Sequence, residues 1–254
     1  MSLLAFGYHP VISIINSPYF HPKKVIIIQE KYHNDKKLLQ LLEKNKTNYQ
    51  LLTKKEFVRA SFPKKSQGIV ALLSDYDYFS LSGLLQLTSH HKYPLFVMLD
   101  CIEDPHNFGA ILRISAAFLI DGIIISKKNQ VPVNSTVIKV SMGGAAYVPV
   151  CQVSSLSEAV NELKKRKYKI VATTCEPLEI TNNSDAIAFN KLSSLWDKQP
   201  LCLIFGNEHS GVKKTLIKKS DYSFYIPISN NVSSLNVATS CGIILSLLVL
   251  STNN

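Results

Sequence analysis

The chain is poor in the residue patterns that build metal and disulfide scaffolds. Its five cysteines, at 101, 151, 175, 202 and 241, are odd in number and never fall in a Cys-x-x-Cys spacing. That argues against a disulfide framework and against a zinc knuckle. The seven histidines form no HExxH pattern and no pair on one helical face, so no metal is expected, and His90–His91 read as a solvated pair. No apolar run is long enough for a bilayer, which needs about 20 residues. The longest, CGIILSLLVL at 241–250, reads as a buried helix. The start of the chain lacks a basic segment followed by an apolar core and a small-residue cleavage site. With unpaired cysteines, this reads as a cytoplasmic protein without a membrane partner. Nucleotide signatures are missing too. No G-x-G-x-x-G follows a strand, and GNEHSG at 206–211 is followed by Val212 where a phosphate loop needs lysine.

Acidic residues are scarce: 18 against 28 Lys and Arg, for a net charge of +10 and a pI of about 9.3. Such a balance points to a polyanionic partner. The excess is uneven. Residues 1–93 carry 13 basic and 6 acidic side chains, and 94–254 carry 15 and 12. Much of the early excess comes in pairs: Lys23-Lys24, Lys36-Lys37, Lys54-Lys55 and Lys64-Lys65.

At 46% hydrophobic, the chain can bury a substantial core. In the first 75 residues, KVIIIQ (24–29), 49–52 and GIVALL (68–73) read as strands, with helical spacing over 35–46 and a turn of helix at 55–59. This is a small α/β unit. Residues 74–94 have mixed polarity and room for a short helix, and the boundary is placed there. From Pro94 onward strands at 95–99, 122–126, 148–150, 169–173, 201–205 and 223–226 alternate with helices at 109–118, 134–141, 155–166, 212–219 and 235–250. That alternation predicts an α/β fold with a mostly parallel sheet covered on both faces.

Three polar loops each follow or precede an apolar run. In the first, LDCIEDPHNFGAILRISAAF at 99–118, residues 103–108 read as a loop with an exposed amide at Asn107 and a tight-turn glycine at Gly109. A helix follows, with Arg113 one turn in and reaching back toward the loop. The second is LIFGNEHSGV and the third IPISNNVSSLNVATSCGIIL. Singly, each has a structural reading: Asn107, Ser234 and Asn236 are good helix caps. Three such loops at strand ends, where open α/β sheets bind ligands, suggest one composite site.

In order and separation these segments resemble the three motifs of the SpoU (TrmH-type) 2′-O-ribose RNA methyltransferases of the SPOUT class. FGYHPV at 6–11 and SQGI at 66–69 resemble the N-terminal domain of those members that methylate a guanosine of large-subunit rRNA. The resemblance implies a trefoil-knotted catalytic domain over 94–254, a linker over 76–93, and an RNA substrate-binding domain over 1–75 that is similar to a ribosomal protein. It implies a homodimer that binds S-adenosylmethionine through Thr173, Gly206, Ile226 and Leu235, with Asn107, Arg113, Glu208, Ser234 and Asn236 as catalytic residues. The family mechanism gives the hydroxyl proton to the arginine, here Arg113. A guanidinium stays protonated in proteins, so the alternative is that Arg113 holds the substrate's phosphate and polarises the hydroxyl while another group or water takes the proton. A tRNA substrate and a non-catalytic RNA-binding assembly factor are the rival readings. Two departures stand out. Leu119 replaces the usual glycine after the first motif's helix, so the turn is expected to be built differently. Ala172 replaces a glycine beside Thr173, and its methyl is expected to intrude on the cofactor edge.

Overall fold

The structure, a computed structural model, describes residues 3–174, 185–187, 199–207, 210–229 and 231–252. It holds two sheets. The first has the order β1-β4-β2-β3, formed by β1 (Leu3–Phe6), β2 (Pro22–Ile28), β3 (Tyr49–Leu52) and β4 (Ile69–Leu73). β4 runs antiparallel to β1 and β2, and β3 runs parallel to β2. Helices α1 (Tyr8–Ile15), α2 (Gln29–Tyr32), α3 (Lys36–Lys44) and α4 (Lys54–Arg59) connect them. Asp35 caps α3 by accepting from Leu38 N, and Thr53 and Glu56 form a reciprocal capping box on α4. β1 and α1 carry no strong period and are absent from the sequence reading. The two N-terminal segments FGYHPV and SQGI meet here: Tyr8 N donates to Gln67 Oε1 at 2.8 Å and Gly7 N to Ile69 O at 3.2 Å.

The stretch between the sheets is packed rather than loose. It contains α5 (Leu81–Leu87). Tyr76 is buried and its hydroxyl accepts from Val150 N at 3.1 Å, while the Tyr78 hydroxyl accepts from Val133 N at 2.7 Å.

The second sheet is parallel throughout its described pairings, in the order β7-β6-β5-β10-β8-β11-β9. Its strands are β5 (Leu95–Asp100), β6 (Gly122–Ser126), β7 (Val150–Val153), β8 (Lys169–Thr174), β9 (Asp185–Ile187), β10 (Leu201–Gly206) and β11 (Tyr222–Tyr225). Between them lie α6 (Pro105–Ala117), α7 (Ser135–Val140), α8 (Leu156–Lys165) and a short helix at Lys214–Ile217; a long helix, Val237–Thr252, closes the chain. Alternation along the strands divides the core. Leu95, Val97, Leu99, Leu203 and Phe205 pack toward α6 and the last helix, while Phe96, Met98, Cys202 and Ile204 pack toward α5 and α8. Fully burying each such side chain is worth about 1.5–3 kcal/mol.

The expected boundaries shift in three places. The strand read at 148–150 lies at Val150–Val153, and the helix read at 212–219 shrinks to Lys214–Ile217. The largest shift is in the first motif. α6 begins at Pro105, not Gly109, because Asp104 accepts from His106 N at 2.8 Å as N-cap and proline fits the first helical position. Residues 105–108 are therefore helix, not loop. Gly109 is not a turn residue. It sits buried inside α6, where an added Cβ would lie 2.7 Å from Val140 Cβ on α7.

The two sheets share one apolar core that includes Val25, Ile27 and Val11 along with Leu95 and Ile111. Polar contacts reinforce it. Leu4 N donates to Ser135 Oγ at 2.9 Å, and the buried Ser17 hydroxyl donates to Ala146 O at 2.6 Å.

Candidate active site

The carboxyl ends of β5, β10, β8 and β11 point the same way, and the three polar loops leave from that end. β5 is buried along its whole length up to Asp100. Cys101 then takes a left-handed conformation (φ 61°), which turns the chain toward α6. This puts Asn107 in the first turn of α6, half-buried.

Asn236 stands at the start of the last helix. Its Oδ1 accepts from Ala238 N at 2.9 Å and Thr239 N at 3.3 Å, so it is that helix's N-cap. Its Nδ2 donates to Asn107 Oδ1 at 2.8 Å. One side chain therefore ends a helix and ties the third motif to the first, across 129 residues of chain.

Between β8, β10, β11 and the last helix lies a cleft of about 590 Å³, open solvent at its mouth included. Thr173, Gly206, Ile226 and Leu235 all line it, as does Ser234. Ser240 lines it too; the signal for it was its position one helical turn after Asn236. The Thr173 hydroxyl donates to Ile204 O at 3.0 Å, bridging β8 to β10.

Gly206 has a steric reason to be glycine. A Cβ there would lie 2.1 Å from the carbonyl carbon of Gly211. The loop folds back on itself at this point, with Asn207 paired to Gly211 and Gly211 N donating to Asn207 O at 2.8 Å. The close approach thus belongs to the loop's own backbone. Asn207 Nδ2 also donates to Cys101 O at 3.1 Å, joining the second motif to the first.

Arg113 stands on an exposed part of α6. It makes no ion pair or hydrogen bond among the described residues. With α6 starting at Pro105, Arg113 is two turns in, and six residues place it about 120° around the axis from Asn107. Glu208 lies outside the described residues. Of the two departures, Ala172 does not behave as expected. Ala172 is fully buried on the α5–α8 side of the sheet, opposite to Thr173, so its methyl packs into the core and away from the cleft. Leu119 adopts the glycine's own conformation (φ 54°) with 86% of its surface exposed. Leucine thus holds a left-handed backbone conformation that favours glycine.

A family model described as the SpoU rRNA methylase family matches residues 94–246. The chain belongs to the SpoU methylase family. A second model, for RNA 2′-O ribose methyltransferase substrate binding, matches residues 4–79. An uncharacterized tRNA/rRNA methyltransferase of Mycoplasma genitalium is 37% identical over 201 residues, 79% of each chain. Among solved structures, the SpoU methyltransferase AviRb of Streptomyces viridochromogenes, in complex with AdoMet, superposes with a TM-score of 0.77 at 20% identity, covering all of this chain and 91% of that one. An AdoMet-bound rRNA methyltransferase of Sinorhizobium meliloti gives 0.74 at 20% identity, covering 96% and 85%. The SpoU fold thus extends over the substrate-binding segment as well as the methylase segment. No group of His, Cys, Asp or Glu among the described residues could hold a metal, and no helix among them is long and apolar enough to cross a membrane.

Proposed function

We propose that this SpoU protein transfers the methyl group of S-adenosylmethionine to a ribose 2′-hydroxyl of RNA, on a guanosine of large-subunit rRNA. The observation that carries the reading is convergence. Thr173, Gly206, Ile226 and Leu235, which come from three separate strand ends, line a single cleft, and the Asn107–Asn236 hydrogen bond adjoins it. The cleft suits the cofactor. Ile226 and Leu235 supply apolar walls for an adenosyl group, and the Thr173 hydroxyl and the backbone at Gly206 supply polar contacts.

When bound, S-adenosylmethionine supplies a methyl already activated by its sulfonium, so the reaction needs no metal. The 2′-oxygen–carbon bond forms as the carbon–sulfur bond breaks, and the hydroxyl proton passes to water. The protein's task is alignment, which can contribute several kcal/mol. Asn107, held by Asn236, orients the ribose. Ser234 presents a hydroxyl at the cleft. Arg113 stays protonated; its exposed, unpaired guanidinium holds the phosphate beside the target ribose and polarises the hydroxyl. Glu208 completes the proposed set, its carboxylate pairing with an arginine or with RNA-facing amides.

Residues 1–75 act as the RNA-binding unit, 76–93 as the strap that joins it, and 94–254 as the catalytic unit. The exposed Lys36, Lys37, Lys54, Lys55, Lys64 and Lys65 supply phosphate contacts. The working form is a cytoplasmic homodimer, to be checked by light scattering in solution.

The test is to incubate the full chain with labelled S-adenosylmethionine and total RNA and to map the modified nucleotide. A 2′-O-methylated guanosine in large-subunit rRNA is expected. Label in tRNA alone would overturn the rRNA assignment, and label on a base would overturn the ribose assignment.

A further inference from the structure

The second motif's loop is pinned by a pair that joins Asp100, in the first motif's segment, to Lys213, just past the second. Asp100 ends β5 and is 1% exposed. One of its carboxylate oxygens accepts from Lys213 N at 2.9 Å, and the other meets Lys213 Nζ at 3.2 Å. The Cys101 thiol donates to the same carboxylate at 3.4 Å. A buried carboxylate is costly unless it is paired and hydrogen-bonded, and here the pairing comes from a residue 113 positions away.

Lys213 lies two residues past Gly211, at the far end of the loop that begins at Gly206. The near end is fixed by Gly206 pairing in register with Asp100 across β10 and β5. Asn207 and Gly211 between these points line the cleft. Asp100 therefore fastens both ends of one loop: its backbone holds the start and its side chain holds the finish. Glu208 lies within that span.

We propose that Asp100 and Lys213 are positioning residues that hold Gly206, Asn207 and Gly211 in the wall of the cofactor cleft. The pair touches neither the cleft nor its contents; neither residue lines it. Its effect on the cofactor rests on the cleft being the S-adenosylmethionine site, whereas its effect on the loop does not. Lys213 keeps its charge in this setting. Its contacts with the Cys101 thiol and the Asp100 carboxylate raise its pKa against the lowering effect of burial.

Two measurements on the full-length chain test this. The first is hydrogen exchange at the amides of Gly211 and Lys213 without cofactor, in the wild type, Lys213→Met, Lys213→Arg and Asp100→Asn. The second is the dissociation constant for S-adenosylmethionine by calorimetry, with the thermal midpoint alongside. Lys213 is largely exposed, so Lys213→Met should fold even if Asp100→Asn does not. Loss of a charge-assisted hydrogen bond should speed exchange at both amides and weaken cofactor binding about tenfold in Lys213→Met. The thermal midpoint should fall by only a few degrees in Lys213→Met, because the buried Asp100 loses its counter-charge but keeps the hydrogen bond from Lys213 N, and Lys213→Arg should restore the readouts. Asp100→Asn should fall between them, because its amide oxygen can still accept from Lys213 N. Unchanged exchange in Lys213→Met overturns the latch. Faster exchange with cofactor affinity within twofold of wild type overturns its link to the cleft. Faster exchange in a wild-type background that binds no S-adenosylmethionine leaves the latch standing and refutes the cofactor assignment of the cleft.

Discussion

Asn236 performs two jobs, and substitutions can separate them. Its Oδ1 caps the last helix and its Nδ2 reaches Asn107. Replacing an Asn N-cap with alanine costs about 1 kcal/mol. A neutral hydrogen bond at an exposed site such as this one adds about 0.5 kcal/mol, at the low end of the usual range. Asn236→Ala should therefore lose about 1.5 kcal/mol, or about 3–6 °C for a chain of this size. Asn236→Asp keeps the cap acceptor and removes the donor, so it should lose only the smaller part. The assay is urea unfolding of the single variants, Asn107→Ala and the double variant. The double-mutant cycle isolates the bridge, because Asn107 has other contacts that its own truncation also removes. A coupling of about 0.5 kcal/mol is expected. Equal losses in Asn236→Ala and Asn236→Asp would refute the capping role, and zero coupling would refute the bridge. If the bridge orders the ribose site, Asn236→Asp should also lower the transfer rate by more than its small stability loss explains.

Leu119→Gly should raise stability by about 0.5–1 kcal/mol, because a left-handed leucine costs roughly 1–2 kcal/mol and its exposed side chain loses little packing; a fall in thermal midpoint would contradict this. Ala172→Gly should cost about 1–1.5 kcal/mol from one lost methyl and a freer unfolded chain, with no gain in cofactor affinity. Tighter binding in that variant would return the methyl to the cleft. Arg113→Ala should abolish transfer yet keep S-adenosylmethionine binding, and normal transfer would remove Arg113 from the mechanism. Burial pushes the Cys151 thiol up to about 12 and raises those of Cys202 and Cys241 further. Because each thiolate forms only above its raised pKa, these three should resist a thiol-alkylating reagent at pH 8 in the folded chain; rapid labelling there would place them nearer solvent.

The sequence by itself determined the class of fold and named Thr173, Gly206, Ile226, Ser234 and Leu235, which line the cleft. Strand and helix periods report burial on one face, and burial is dictated locally by which residues alternate and which recur every third or fourth position. Hence β2, β5, β10 and the last helix were legible from residues 24–29, 95–99, 201–205 and 235–250 alone. The motif residues were legible for the same reason, since each loop carries its own turn chemistry. Where local signals compete, sequence misleads. Asp-Pro-His-Asn reads equally well as a loop and as a capped first turn, and the Asp104 hydrogen bond to His106 N decides for helix. What only the tertiary structure decided is which distant groups meet. Strand pleating sends Ala172 to the face opposite Thr173. The order β5-β10-β8-β11 sets the ends of β8, β10 and β11 around one cleft. Asn107 finds Asn236, and Asp100 finds Lys213, over separations that no period encodes. The physical reason is that strand order, unlike strand identity, is fixed by the packing of whole elements against a shared core rather than by any run of neighbouring residues.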